Sequence, residues 1–426
     1  GSRGDVQPFV ALAIALQTQG HTVTIAAAAD YGALVQDHGV DFVPVGGYVA
    51  QLMNVDLVNA LLDGAYNPLV FARSFLRELE PLLSTIVADC WQAARAADLL
   101  IASSLGLFVG VHLVEKCQKE GRRCALVAVH MHPLYPSATS AHVNFPHAPA
   151  WLPGRGLYHR LTYHLGWHGF WQLLRRPLNS ARRTVLGLPA LSPRQLYRRA
   201  QQPWPTLYAY SPTMIPPPAA LPAHATVTGY WVLPPTGTWQ PPAALCEFLA
   251  AGPPPVLISF GSILGGRDPN RMTELLVAAL QHSGQRGLIH RGWGDLGNIP
   301  LPLTILAIES VPHAWLMPQV AAVVHHGGAG VTAATILAQR PAVVVPVFGD
   351  QQLWAARLQE LGLATAPIPR RRLTAASLAA ALVQAIGDAR LATNLQAVAS
   401  RLQSEDGVGQ AVSWLQTHWQ CQPENI

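Results

Sequence analysis

The chain has 426 residues, of which 50% are apolar and 12% are charged, with a net charge of +5. At about 100–200 residues per domain, this length predicts two or three domains. The low charge is typical of parallel sheets that helices cover on both faces. Five scattered cysteines without a CxxC pair argue against a disulfide framework or a zinc ribbon, and they indicate a reducing, cytoplasmic compartment.

Hydropathy predicts a soluble protein. The longest apolar stretch, Leu99 to Val114, contains two serines, two glycines and a histidine. It is also shorter than the roughly 20 residues that a membrane-spanning helix needs. A signal peptide is not apparent in the sequence.

The positive charge is concentrated in the middle of the chain. Residues 121–246 contain eleven arginines and neither Asp nor Glu, and the aromatic residues among them include Trp151, Trp167, Phe170 and Trp171. This pattern fits a solvated face in a chain that prefers Arg to Lys, or peripheral contact with an anionic membrane. Because no nucleic-acid motif accompanies the arginines, no nucleic-acid partner is expected.

Helices and strands alternate in the first part of the chain. A helix is predicted from Pro8, with Phe9, Leu12 and Leu16 on one face, and Gly20 ends it. The elements predicted next are a strand at 21–28, a short helix at 31–39, a strand at 40–45, and strands at 97–103 and 124–130 around a helical stretch. Such alternation indicates a doubly wound parallel sheet.

The beginning of the chain lacks an element that this architecture needs. Residues 1–6 form a predicted loop that leads into the first helix, and no strand precedes them. A doubly wound unit requires a strand at that place. We therefore expect a first strand and an initiator methionine upstream of Gly1.

A second alternating region follows a linker. Residues 133–240 are richer in Pro, aromatic residues and Arg and show weaker periodicity, and the Pro-rich segment 232–245 is interpreted as an interdomain linker. Strands are then predicted at 254–260, 287–291, 303–308, 321–325 and 342–347, and helices at 270–282, 330–338, 351–361 and 390–418. We predict a domain at 1–238, a second doubly wound domain at 239–400 and a terminal segment at 401–426.

The sequence HHGGAG at 325–330 follows a predicted strand and opens a predicted helix. Glycines let a ligand approach the backbone, and a helix N-terminus offers free N–H groups to an anion. His325 could donate a hydrogen bond to the same anion. A phosphate cradle, a packed turn and a metal site stay open at this point, although no carboxylate or Cys lies nearby in sequence to complete a metal site.

Three other loops carry polar candidates. Ser262 follows the strand at 254–260, and Asp350 and Gln351 follow the strand at 342–347. The Asp–Gln pair suits the vicinal hydroxyls of a sugar, whereas Asp350 alone is equally typical of a helix N-cap. In the first loop, Asp5 could be a helix cap or a general base, with Arg3 beside it.

These stretches together resemble one family. GSRGDVQPFVALAIALQTQGHTVTIAA at the start, RPLNSARRTVLGLP and LYAYSPTMIPPP in the middle, and VPHAWLMPQVAAVVHHGGAGVTAA with PVFGDQQLWAARLQELG resemble the sterol 3β-glucosyltransferases and related UDP-glucosyltransferases. The resemblance spans nearly the whole chain. It implies an α/β GT-B fold, in which two Rossmann-like doubly wound domains face each other across a cleft and the last helix returns to the first domain.

The resemblance also implies an inverting, metal-independent transfer of glucose from UDP-glucose, without a cofactor, to a sterol or similar lipid-like alcohol. Asp5 matches the family's base, and Ser2 and Arg3 are expected to contact the reacting groups. The expected donor-site residues are Ser262, Trp293, Val311, His313, His325, Gly327, Gly328, Ala329, Gly330, Asp350 and Gln351.

The sequence departs from the family pattern at a few positions. Val331 replaces the first of two usual threonines, and Gln339 replaces a usual glycine, which costs stability if the position needs positive φ. The middle region has AALPAHA where Asp-Trp is usual, so the acceptor stays open: a polyketide, carotenoid or glycolipid is the alternative to a sterol. A UDP-sugar epimerase and a silent nucleotide-sugar binder are the rival functions.

Overall fold

A computed structural model describes residues 3–47, 68–146, 148–149, 151–218, 221–234, 239–260, 268–291 and 299–419. These residues divide into two compact units. The first unit contains the described residues up to Pro234 and those from Asp406 onward. The second contains those between Pro235 and Glu405.

The first unit alternates helices and parallel strands. Its elements are α1 (Arg3–Thr18), β1 (Thr24–Ala27), α2 (Gly32–Gln36), β2 (Asp41–Pro44), α3 (Pro68–Ala94), β3 (Leu99–Ser103), α4 (Leu107–Lys119), β4 (Ala125–His130), α5 (Arg155–Thr184), α6 (Pro193–Ala200), β5 (Thr206–Tyr208) and β6 (Ala225–Val227). Strands β1 and β2 form one parallel pair, and β3 to β6 form a four-stranded parallel sheet in chain order.

Helices cover both faces of the four-stranded sheet. Along β4, Val127 and Val129 pack with α1, whereas the alternate residues Leu126 and Ala128 pack with the helices of the opposite face. Successive side chains of a strand point to opposite faces, so a strand buried on both sides reads as a continuous apolar run. This is why β4, with the sequence ALVAVH, contains no Asp, Glu, Lys or Arg.

The second unit is a doubly wound sheet. Its elements are α7 (Ala243–Ala250), β7 (Val256–Ser259), α8 (Pro269–His282), β8 (Gly287–His290), β9 (Ile305–Ile308), α9 (His313–Leu316), β10 (Ala322–His325), α10 (Ala329–Leu337), β11 (Ala342–Val344), α11 (Gln351–Glu360), α12 (Ala375–Gly387) and α13 (Ala389–Gln403). The parallel strands lie in the order β11-β10-β7-β8-β9. The prediction of alternating strands and helices is thus confirmed in both units.

Three expectations about helices are wrong. The first helix begins at Arg3, and Pro8 lies inside it, so residues 3–6 are helical instead of a loop. The predicted final helix is two helices, α13 and α14 (Gly407–Trp419), separated at residues 404–406. Gly407 fits against the backbone of Tyr230, where a Cβ would lie 2.5 Å from the carbonyl oxygen, and α14 packs with α1 in the first unit.

The third difference is the 30-residue helix α5, in a segment where the sequence shows weak periodicity. Pro177 and three glycines within it argue against a helix on local grounds. Burial of Trp171, Leu174 and Leu178 in the core of the first unit outweighs these local costs.

Among the described residues, no single helix has the length and apolar composition to cross a membrane. A pair of helical segments, Ala375–Gly387 and Ala389–His418, meets both criteria only when the two are taken together, and their axes are bent by 67°.

Candidate functional site

The candidate site lies where the strand order of the second unit reverses. The chain runs outward from β7 through β8 to β9, then returns to β10 on the other side of β7. Ligands of doubly wound sheets bind outside the carboxyl ends of the strands at such a switch point. His325 ends β10 directly beside Ser259, which ends β7, and the carbonyl oxygen of His325 accepts a hydrogen bond from Val345 N at 2.9 Å.

His325 is a buried, neutral hydrogen-bond donor. Its Nδ1 accepts the backbone N–H of Gly327 at 3.0 Å, so the hydrogen-bond pattern assigns the proton to Nε2. Burial, followed by the charges of His326 and His313, lowers the pKa of His325 to about 3. Among the described residues, the buried Nε2 has no hydrogen-bond partner. A buried donor of this kind is available for a ligand oxygen.

The glycines of the loop at 327–330 differ in the space that surrounds them. Gly327 has φ +88°, and a Cβ there would lie 3.0 Å from Gln351 O and from Val344 Cγ1. A Cβ on Gly328 would lie 2.7 Å from His326 Nε2. Gly330 is different, because a Cβ there would meet nothing within 4 Å. Gly327 and Gly328 are therefore required by packing, whereas Gly330 faces open space.

Helix α10 presents its N-terminus to this space. Gly328 is its N-cap residue, without a side-chain capping bond, and Ala329 and Gly330 open the first turn. The first N–H groups of a helix have no intrahelical acceptor and carry partial positive charge. Thr332, one turn on, adds a buried hydroxyl that has no partner among the described residues. Amides, hydroxyl and imidazole together can bind an anion.

Asp350 and Gln351 border the same glycine loop. Gln351 Oε1 accepts the backbone N–H groups of Val347 at 2.8 Å and Phe348 at 3.2 Å, so its amide group retains only N–H donors for a ligand. Asp350 occupies the N-cap position of α11, but its side chain makes no capping bond. Its Oδ2 instead accepts from Trp354 Nε1 at 2.9 Å. The carboxylate is thereby oriented and keeps lone pairs for hydroxyl groups.

The remaining predicted donor-site residues differ in what the structure describes. Val311 is buried just before α9, and His313 begins that helix close enough to His325 to influence its pKa. Ser262 and Trp293, like Ser2, lie outside the described residues. Within the described part of the chain, no group of three or more His, Cys, Asp or Glu residues could hold a metal ion.

Asp5 and Arg3 belong to the first unit. Both lie in the first turn of α1 and are exposed, and Arg3 Nε donates to Gln7 Oε1 at 3.3 Å. Because the helix begins before Asp5, the expectation that its carboxylate precedes the helix as a cap is wrong. Burial, followed by the charges of Asp30 and Asp5, raises the pKa of Tyr31. Asp5 is thus an exposed carboxylate beside a phenol.

A second polar cluster, missed by the sequence analysis, lies at the carboxyl ends of the first unit's strands. Ser104 Oγ lies 2.8 Å from His130 Nδ1, where β3 and β4 end. Burial, and then the charge of His132, lowers the pKa of His130 to about 3. Nearby, the hydroxyls of Tyr135 and Tyr210 are 2.7 Å apart. The strand-end rule applied to the second unit would have found His130, the last residue of CALVAVH.

Two family models match parts of the chain. Residues 1–129 match the glycosyltransferase family 28 N-terminal domain, and residues 289–410 match the erythromycin biosynthesis protein CIII-like C-terminal domain. Each match falls on one of the two predicted doubly wound regions. The glycine loop at 327–330 lies in the second match.

Two curated relatives of the chain carry the same name. The sterol 3-beta-glucosyltransferase of Neosartorya fischeri is 34% identical over 430 residues, which cover 97% of this chain and 28% of that protein. That of Cryptococcus neoformans var. neoformans is 34% identical over 442 residues, covering 97% and 26%. The chain therefore spans less than a third of the length of the curated relatives that it matches.

Solved structures establish the fold. The glycosyltransferase of kitacinnamycin has a TM-score of 0.61 at 19% identity, covering 98% of this chain and 96% of its own. The spinosyn forosaminyltransferase has a TM-score of 0.63 at 16% identity, with the same coverage. At these identities the likeness concerns the fold alone, and the GT-B prediction is confirmed. The chain therefore has the GT-B fold and is homologous to a part of the sterol 3β-glucosyltransferases.

Proposed function

We propose that the chain transfers glucose from UDP-glucose to the hydroxyl of a sterol or similar lipid-like alcohol, with inversion at the anomeric carbon. The observation that carries this proposal is the neutral, buried His325 beside a helix N-terminus at the switch point of the second unit. That combination suits the diphosphate of a nucleotide sugar. The names of the homologous proteins support the sterol and the glucose.

Inversion requires a single displacement. The acceptor oxygen forms a bond to the anomeric carbon while the bond from that carbon to the diphosphate oxygen breaks, and the electron pair leaves with UDP. The acceptor proton passes to a base, for which we propose the exposed carboxylate of Asp5. Ser2 and Arg3 are proposed to contact the reacting groups from the same segment.

The departing diphosphate gains negative charge, and the second unit offers donors in place of a metal ion. We assign this role to His325 Nε2 and the amides of Gly328, Ala329 and Gly330, with Ser262 as a further donor. Preorganised donors in a buried site stabilise developing charge without reorganisation. No metal or cofactor is required by this assignment.

The donor's other parts fit the remaining residues. Asp350, which accepts from Trp354, and Gln351, which retains its N–H donors, are proposed to bind the glucose hydroxyls. Val311 and His313, with Trp293, are proposed to frame the uracil. Gly327, whose N–H donates to His325 Nδ1, is proposed to shape the donor-binding loop around the diphosphate.

The acceptor class follows from the relatives, and a polyketide, carotenoid or glycolipid is the alternative. A lipid-like acceptor is consistent with an enzyme that acts peripherally at a membrane. The described cysteines are free thiols, as in a cytoplasmic protein. These proposals concern this chain and leave the longer relatives' remaining segments aside.

The test measures UDP release from UDP-glucose in chelator, with and without cholesterol or ergosterol. We expect sterol-dependent release that falls at least about a hundredfold in Asp5→Asn. Asp37→Asn, an exposed carboxylate of the same unit, is the matched control and should retain activity. Sterol-independent UDP-sugar interconversion would establish the epimerase instead, and donor binding without turnover, unchanged by Asp5→Asn, would establish the silent binder.

A further inference from the structure

Helix α5 exposes an apolar stripe in its first three turns. Leu157 and Leu165 are 66% and 60% exposed, Leu161 between them is 48% exposed, and Trp151, just before the helix, is 78% exposed. The three leucines are spaced four residues apart and therefore lie on one face of the helix. Contiguous apolar exposure of this kind marks an interaction surface. We call Trp151, Leu157, Leu161 and Leu165 the α5 stripe.

The same face is covered farther along the helix. At about 100° per residue, His168, Gln172 and Asn179 lie on the face of the α5 stripe. His168 packs edge-on against Tyr197 of α6, at 4.9 Å between ring centroids, and Gln172 Nε2 donates to Pro193 O at 3.2 Å. Asn179 exchanges two hydrogen bonds with the backbone of Leu191. The stripe is thus the part of this face that the fold leaves uncovered.

Exposed arginines lie on the helix that carries the stripe and on α6, which packs against that helix. Arg155 and Arg160 are exposed on α5 itself, and Arg194 and Arg198 are exposed on α6. Residues 121–246 contain no Asp or Glu to offset them. Glu115, on the neighbouring helix α4, pairs with Arg182 and Arg199 and not with these exposed arginines.

We infer that the α5 stripe is a docking surface for an anionic lipid bilayer. Apolar side chains and a tryptophan enter the headgroup boundary, while flanking arginines attract anionic lipids. The excess of arginine over acidic residues in 121–246 favours this occupant over a second copy of the chain, because two copies of the same basic segment would repel each other. The inference rests on the proposed function for its purpose, since docking would bring the enzyme to a lipid acceptor.

The experiment uses the full chain and sedimentation with vesicles of phosphatidylcholine, with or without phosphatidylserine. Wild type should bind the anionic vesicles, and added salt should weaken binding. The triple variant Leu157→Ser, Leu161→Ser and Leu165→Ser should lose at least about tenfold in bound fraction, because the apolar contact is removed. Val383→Ser with Ile386→Ser, exposed apolar residues of the second unit, is the matched control and should bind like wild type.

Two outcomes would overturn the inference. Either the triple variant binds vesicles like wild type, or wild type is a dimer that binds no vesicles and becomes monomeric in the triple variant. Sterol glucosylation in detergent micelles separates this test from the proposed function. The triple variant should match wild type there, and a wild type inactive in micelles would refute the transfer reaction while leaving the vesicle result valid.

Discussion

Gly330→Ala distinguishes a phosphate cradle from a packed turn. Gly330 lies in the first turn of α10, and a Cβ there would meet no protein atom within 4 Å. Alanine is favoured over glycine in a helix because it loses less backbone entropy. The substitution should therefore leave the fold intact, and any defect should concern a ligand that occupies the open space.

Gly330→Ala should have two effects of opposite sign: a small gain in stability and a large loss of donor affinity. The helix preference should raise the free energy of unfolding by about 0.5 kcal/mol, or about 1–2 °C in melting temperature for a unit of this size. A diphosphate that approaches the amides of Ala329 and Gly330 would meet the new methyl group. Losing one charge-assisted hydrogen bond, at about 1.5–3 kcal/mol, should weaken donor binding about 10- to 100-fold.

The assay combines thermal unfolding of the free protein with calorimetric titration of UDP-glucose. Gly169→Ala is the matched control, since Gly169 lies inside α5 of the first unit and also has open space around its Cβ position. It should gain stability and bind the donor like wild type. Wild-type donor affinity in Gly330→Ala would refute the cradle and leave the loop as a packed turn.

Three further predictions concern His325, Gln339 and Glu115. An unfolded histidine titrates near 6.5, and burial lowers the pKa of His325 to about 3. Its contribution to stability is therefore complete above pH 6.5 and is lost as pH falls toward 3. In urea unfolding, the free energy of unfolding should drop between pH 7 and pH 5 by about 2 kcal/mol less in His325→Asn than in wild type. An equal drop in both proteins would contradict the lowered pKa. Gln339→Gly should raise the free energy of unfolding by about 0.5–1 kcal/mol, because Gln339 has φ 54°, and a lower melting temperature would count against this. Glu115→Gln should cost about 3 kcal/mol, since it leaves Arg182 buried without its bidentate partner, whereas the exposed pair partner Glu120→Gln should cost about 0.5 kcal/mol; equal costs would disprove the difference.

Local sequence patterns sufficed for much of the second unit. Short apolar runs between polar turns predict buried parallel strands, and all five predicted strands there correspond to β7–β11. The rule that ligands bind at strand ends then selects His325 and Asp350 without coordinates. The need for positive φ at Gln339 was also predictable, because this residue follows a helix end. The N–H of Gln339 donates to Ile336 O, and the N–H of Arg340 donates to Thr335 O, as in a Schellman motif.

Local patterns were insufficient where the helices depend on distant partners. The long helix α5 buries Trp171 and Leu174 on one side and exposes Leu157 and Leu165 on another. Its apolar residues therefore show no single helical stripe, and Pro177 argues against a helix altogether. Likewise α1 extends upstream of Pro8, although Pro8 is a typical first residue of a helix.

The sequence by itself determined the alternation of strands and helices, the glycine loop after β10 and the resemblance that names the family. These follow from residues within a few positions of one another. Only the tertiary structure decided which arginines form ion pairs within the fold and which stay exposed. Arg182 and Arg199 reach Glu115 across 67 and 84 residues, while Arg155 and Arg160 remain at the surface. Charge pairing over such separations depends on how the helices pack, and no local pattern encodes it.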